Sequence, residues 1–99
     1  MLLKIIKIDG HSLEPVYQEG DYVFVSEIPL HFRGVRPGDV VVFDHPHDGK
    51  VIKLVNHLED GGRSVFVIGL HPDSIDSRVY GAIPRNLIEG KVIWHVSRK

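Results

Sequence analysis

Two side chains in this 99-residue chain have the properties of a nucleophile and a base. Ser12 lies in the segment GHSLEP, and Lys53 lies in the segment VIKLV. A serine hydroxyl is a weak nucleophile until a base takes its proton, and a lysine is such a base only when burial keeps it neutral near pH 7. Together the two residues have the chemistry needed for acyl transfer.

The position of Lys53 decides between two interpretations of that lysine. With the period of two that a β-strand imposes, Lys53 lies on the same side as Val51 and Val55, which is an apolar side. Taken alone, the pattern favours a lysine that extends from an edge strand into water. A buried lysine would instead titrate well below its ordinary pKa of about 10.4 and serve as a base.

Five segments of the chain resemble the successive sequence boxes of the type I signal peptidase family. They are HSLEP, EGDYVFV, RPGDVVVFDHP, VIKLV and DSIDSRVYG, in that order, and the resemblance extends from about Ile8 to Val92. It implies a serine endopeptidase with Ser12 as nucleophile and Lys53 as general base. It also implies supporting roles for further residues, which are Gly10, Ser74, Asp76 and Arg78, and Ser74 matches the hydroxyl that orients the lysine.

The sequence departs from the family pattern at positions that bear on the substrate groove. Leu13 replaces the usual methionine, Leu54 replaces the usual arginine, and residues 69–71 are GLH where the family has GDN. Some relatives have a hydroxyl residue at the position of Gly10 that assists the oxyanion hole. Here a backbone N–H of the nucleophile segment is expected to take over more of that role.

The likeness also implies a substrate. A short chain without a membrane anchor that ends in a GKVIW segment, residues 90–94, is most similar to peptidases that remove the leader of nickel-containing superoxide dismutase. The predicted partner is therefore a precursor protein or leader peptide.

Composition narrows the class of protein further. Ninety-nine residues with 42% hydrophobic content predict a single domain over residues 1–99 with one core. A net charge of −1, from 12 basic and 13 acidic residues, gives no indication of a nucleic-acid partner. Cysteine is absent, which excludes disulfides, a thiol nucleophile and zinc–thiolate sites. We expect no cofactor and no metal.

The first apolar segment predicts no integral membrane helix in this chain. Leu2–Ile8 is interrupted by Lys4 and Lys7 and is far shorter than the ~20 residues that a membrane helix needs. No secretory signal is visible, so a cytoplasmic location is expected.

Short β-branched segments separated by Gly-Asp and Asp-Gly turns predict a mainly all-β fold, a small coiled barrel or sheet of antiparallel strands. Single helical turns are expected at Leu13–Tyr17 and Pro84–Ile88, and Tyr80 and Trp94 are expected to pack on the core. The predicted strands are Leu2–Ile8, Tyr22–Val25, Val40–Phe43, Val51–Leu58, Val65–Ile68 and Val92–Val96.

Four alternatives remain open on the sequence alone. Residues 44–48, DHPHD, have alternating side chains that could ligate a transition metal. A histidine could serve Ser12 in a Ser-His-Asp triad, which is recognised by geometry and not by order. The chain could also be a self-cleaving protease of the LexA or UmuD type, although it has no Ala-Gly pair, or a catalytically silent β-barrel binding module.

Overall fold

A computed structural model describes residues 2–10, 13–28, 34–46 and 49–97. Within these ranges the chain forms seven strands, one short helix and two turns of 3-10 helix, Asp60–Gly62 and Arg85–Leu87. The strands are β1 (Leu3–Lys7), β2 (Tyr22–Ser26), β3 (Val40–His45), β4 (Gly49–Glu59), β5 (Ser64–Ile68), β6 (Ile83–Pro84) and β7 (Ile88–Val96), and the helix is α1 (Ser77–Tyr80).

The seven strands belong to one sheet with the order β1-β2-β7-β3-β4-β5-β6. Every neighbouring pair is antiparallel. This confirms the prediction of a mainly all-β fold. The last strand in the sequence, β7, lies between β2 and β3 and joins the two halves of the sheet.

Both faces of the sheet carry apolar clusters, because alternate residues of a strand point to opposite faces. In β3, Val41 and Phe43 belong to one cluster and Val42 to the other. The first cluster also contains Val35, Val55, Val65, Val67, Ile83 and Ile88, and the second contains Ile8, Val23 and Val25. Ile6 of β1 packs against the cluster that contains Val42 of β3, although two strands lie between β1 and β3, so the sheet is coiled.

All six predicted strands are present, but β7 begins at Ile88, earlier than the predicted Val92. Gly90 explains the difference. A Cβ there would lie 2.8 Å from Val25 Cγ1 and 2.9 Å from the Ser26 carbonyl oxygen, so the close approach of β2 and β7 requires glycine. Glycine is a poor strand former, and the sequence pattern therefore stops short of it.

The short helical elements agree in part with prediction. Tyr17 N–H donates to Leu13 O at 3.0 Å, which confirms the helical turn there, and the 3-10 turn Arg85–Leu87 lies within the second predicted turn. Helix α1 and the two-residue strand β6 were not predicted. Among the residues that the structure describes, no helix has the length and apolar character needed to cross a lipid bilayer.

The two aromatic residues expected on the core behave differently. Tyr80 packs against the first apolar cluster, as predicted. The prediction for Trp94 is wrong, because its side chain is 65% exposed. Trp94 pairs with Phe24 across β2 and β7, and the alternation of the strand directs it to the outer face.

Candidate active site

Lys53 lies on β4 directly before the point where pairing with β5 begins, since Leu54 is the first β4 residue with a β5 partner. β4 has β3 on one side and β5 on the other, and Lys53 pairs with Val41. Only 6% of Lys53 is exposed, and Val55 on the same side of β4 is buried. The low exposure of Lys53 shows that the interpretation of a solvated lysine is wrong, and its predicted apolar side is confirmed.

The segment that carries the candidate nucleophile is described on both sides of it, whereas His11 and Ser12 lie outside the described residues. Before it, Gly10 has φ +91°, a conformation that side-chain-bearing residues rarely adopt, and its N–H donates to Glu19 Oε2 at 3.5 Å. After it, Leu13 is 4% exposed and begins the helical turn. Backbone geometry thus accounts for glycine at position 10.

A cavity of about 270 Å³ connects this segment with β4. One wall is formed by residues 6–10, which lead from β1 toward Ser12. The other is formed by residues 50–53 of β4. The lining residues are Ile6, Lys7, Ile8, Asp9, Gly10, Val42, Lys50, Val51, Ile52 and Lys53. Three strands separate β1 from β4 in the sheet, so the curl of the sheet creates this groove.

The loop after β5 is fastened by Asp76, which is completely buried. Its carboxylate accepts from Gly69 N–H at 2.7 Å and from Arg78 N–H at 3.0 Å. The Arg78 side chain donates to the same carboxylate through Nε at 3.0 Å and Nη2 at 2.7 Å, and to Gly69 O at 3.2 Å. Asp76 and Arg78 therefore close residues 69–78 into a compact loop. Their contacts with Gly69 distinguish them from an ordinary ion pair on the surface.

Electrostatics keeps this carboxylate charged. Burial alone would raise the pKa of Asp76, but the hydrogen bonds from Arg78 and Gly69 outweigh that effect and hold the pKa below its usual range. The same contact, led by the hydrogen bond to Asp76, raises the pKa of Arg78. The pair is ionised at neutral pH and gives the loop a fixed shape.

The fastened loop leaves the sheet next to the candidate base. Ile68, the last residue of β5, pairs with Leu54, the neighbour of Lys53. Ser74 lies in this loop, half-buried, and its N–H donates to His71 O at 3.1 Å. The topology thus places the start of the loop that contains Ser74, Asp76 and Arg78 beside Leu54, the residue next to Lys53.

Ser77 also holds this loop in place, and none of the sequence motifs indicated it. The Ser77 hydroxyl is buried and accepts from Val67 N–H at 2.9 Å, which ties helix α1 to β5. Asp76 caps the N-terminus of α1 by accepting from Arg78 N–H. The Asp-Ser pair is a helix-start signal and is the one local feature that could have predicted this turn.

Residues 44–48, the histidine-rich segment, were one candidate for a metal site. Among the described residues, no group of three or more His, Cys, Asp or Glu side chains is placed so that it could hold a metal ion. His47 and Asp48 of that segment lie outside the described residues. Asp44 is exposed and lies 3.8 Å from Lys50 Nζ, and the His45 ring lies 4.8 Å from the Tyr80 ring.

Comparison with known proteins identifies the family of this chain. Residues 1–59 match the family described as "Signal peptidase, peptidase S26". The chain is 32% identical over 113 residues to mitochondrial inner membrane protease subunit 1 of Mus musculus, covering 93% of this chain and 68% of that protein. It is also 32% identical over 117 residues to the Homo sapiens protein of the same name, covering 94% and 70%. The chain belongs to the S26 signal peptidase family, and its function is that of a peptidase.

Proposed function

We propose that this protein is a serine endopeptidase in which Ser12 is the nucleophile and Lys53 the general base. The observation that carries the proposal is the burial of Lys53 on an interior strand at the groove that Gly10 also lines. Burial disfavours the charged form of a lysine, and a neutral amine is suited to take a proton.

The groove supports binding of an extended peptide between its two walls. A strand-like substrate there satisfies its backbone by hydrogen bonds and places alternate side chains against the walls. Ile8, Val42 and Ile52 make much of the lining apolar. A small groove of this kind favours small apolar substrate side chains over bulky aromatic ones.

The reaction follows the usual course of acyl transfer. Ser12 Oγ attacks the carbonyl carbon of the scissile peptide while Lys53 Nζ takes the hydroxyl proton. The C–N bond breaks, the proton passes to the leaving amine, and an acyl-enzyme remains on Ser12. Lys53 then takes a proton from water, the resulting hydroxide attacks the ester, and the proton returns to Ser12.

Two further roles support this mechanism. Ser74 orients the Lys53 amine, and the ionised Asp76–Arg78 pair holds the loop in which Ser74 lies. A backbone N–H of the nucleophile segment stabilises the oxyanion, since Gly10 offers no hydroxyl for it.

The proposed substrate is the leader of a precursor protein, met in the cytoplasm. The name of the mouse and human relatives describes a protease, which supports proteolysis of a protein substrate. The precursor of nickel-containing superoxide dismutase is the particular substrate that the sequence resemblance predicts. Incubating that precursor with the enzyme and measuring the intact mass of the product tests this substrate separately from the dyad.

The dyad is tested with Ser12→Ala, Lys53→Ala and the double variant on a peptide with small residues before the cut. We expect each single variant to lose nearly all activity and the double variant to lose little more, because the two residues act as a unit. Ser64→Ala on β5 and Lys4→Ala on β1 are matched controls that keep activity. Substantial turnover by either dyad variant contradicts the proposal.

The other three interpretations, a silent binding module, a self-cleaving protease and a metal site, predict different results with the purified wild-type protein. A silent binding module is not labelled at Ser12 by an acylating probe, and a self-cleaving protease changes its own mass on incubation at alkaline pH. Sensitivity to EDTA would favour a metal site in the histidine-rich segment.

A further inference from the structure

The loop that carries Ser12 is closed at its base by a backbone contact. Ile8 N–H donates to Asp21 O at 2.7 Å, and Gly20 N–H donates to Ile8 O at 2.9 Å. The chain therefore leaves the sheet after Ile8 and returns to it at the same point, where Asp21 begins the path into β2. The same loop supplies Asp9 and Gly10 to the groove.

The side chain of Asp21 fastens this base from inside the protein. Asp21 is 3% exposed, and its Oδ2 accepts from Gln18 N–H at 3.0 Å, which fixes the returning end of the loop. His95 Nε2 lies 2.7 Å from the same oxygen. A buried carboxylate is costly unless donors surround it, so each of these contacts fixes its orientation.

His95, which contacts the Asp21 carboxylate, lies on β7, far from Asp21 in the sequence. It pairs with Val23 of β2, and its ring lies 4.5 Å from the ring of Tyr17, the end of the helical turn that follows Ser12. His95 thus touches both the carboxylate at the base of the loop and the turn on the returning side of the loop.

We infer that His95 is a positioning residue for the peptidase, acting through Asp21 on the loop that carries Ser12. The inference rests on the proposed function. A displacement of about 1 Å of a reacting group can cost up to about 100-fold in rate, so a loosened loop base lowers turnover without removing any reacting group. The loop also forms part of one wall of the groove. Peptide binding uses both walls, so a loosened loop should weaken peptide binding less than it lowers turnover.

Two substitutions separate the hydrogen bond from the ring. His95→Phe keeps a ring against Tyr17 and removes the donor, whereas His95→Gln removes the ring and keeps a side-chain N–H that can donate to Asp21. We expect His95→Phe to lower kcat about tenfold with KM changed less than about twofold, and His95→Gln to recover most of the loss.

The matched control is His57→Phe. His57 Nε2 lies 2.8 Å from Glu59 Oε2 and its ring stacks on Phe66 at 4.6 Å, so it has a similar carboxylate and ring contact away from the loop. This control should keep wild-type kcat. Equal kcat in His95→Phe and wild type overturns the inference. If His95→Gln loses as much activity as His95→Phe, a side-chain donor to Asp21 does not restore the rate, and the inference is overturned.

A second measurement does not depend on catalysis. Hydrogen exchange at the Ile8 and Gly20 amides reports the base of the loop directly. We expect faster exchange at both amides in His95→Phe than in wild type and in His95→Gln. Unchanged exchange overturns the inference even if kcat falls. If wild type hydrolyses no peptide but exchange follows this pattern, the proposed function fails while the role of His95 in holding the loop stands.

Discussion

Replacing Asp76 with alanine is expected to remove the contact that holds residues 69–78 together. The substitution takes away the acceptor of two backbone N–H groups and of the Arg78 side chain. A lost hydrogen bond to a charged acceptor at Gly69 costs about 1.5–3 kcal/mol, and the lost cap of α1 costs about 1 kcal/mol. The Arg78 side chain is 55% exposed, so solvent screens its ion pair with Asp76 and the pair adds little.

We therefore expect Asp76→Ala to lower the free energy of unfolding by about 2.5 to 4 kcal/mol at pH 7, measured by urea denaturation with an unchanged m-value. The matched control is Asp73→Ala in the same loop. The Asp73 side chain is 92% exposed, so this variant should stay within about 0.5 kcal/mol of wild type. A loss of less than about 1 kcal/mol in Asp76→Ala would refute the assigned role of the carboxylate.

The pH dependence provides an independent check. Because the folded-state pKa of Asp76 is lowered, its ionisation stabilises the fold above the unfolded value of about 3.9, and this contribution is lost as the pH falls through the folded value. The difference between wild type and Asp76→Asn should be largest near neutral pH and should shrink in acid. A difference that stays constant down to about pH 2 contradicts a charged Asp76.

Two further predictions concern the base and the sheet. If Lys53 is the base, its amine should titrate by NMR well below about 10.4, and kcat/KM should rise with pH as the amine loses its proton. A pKa near 10 would exclude Lys53 from the proposed role. Gly90→Ala should cost about 1–3 kcal/mol, because its Cβ would lie 2.9 Å from the Ser26 carbonyl oxygen, and unchanged urea unfolding would show that β2 and β7 separate easily.

Much of the sheet could be predicted because its strands are short, β-branched and separated by glycine turns. The strand order could not be predicted. β2 and β7 pair across most of the sequence, and no local pattern indicates that β7 inserts between β2 and β3. The exposure of Trp94 could not be predicted for the same reason, since the strand pairing decides which face of β7 is covered.

The candidate site shows a similar division. The period of two placed Lys53 on an apolar side of its strand, but only the sheet order shows that this strand is interior. Asp76 and Arg78 are two residues apart and resemble a surface pair, whereas the buried Gly69 N–H makes Asp76 an interior acceptor. Asp21 and His95 are brought together by tertiary structure alone.

The place of β7 in the sheet also sets a condition on when the proposed enzyme becomes active during its synthesis. Ser12 and Lys53 are translated in the first part of the chain, but β1–β2 and β3–β6 are joined through β7 (Ile88–Val96). A nascent chain that lacks β7 has both reacting groups but no sheet to bring the walls of the groove together. Residues 88–96 must therefore be synthesised before the two walls of the groove can come together.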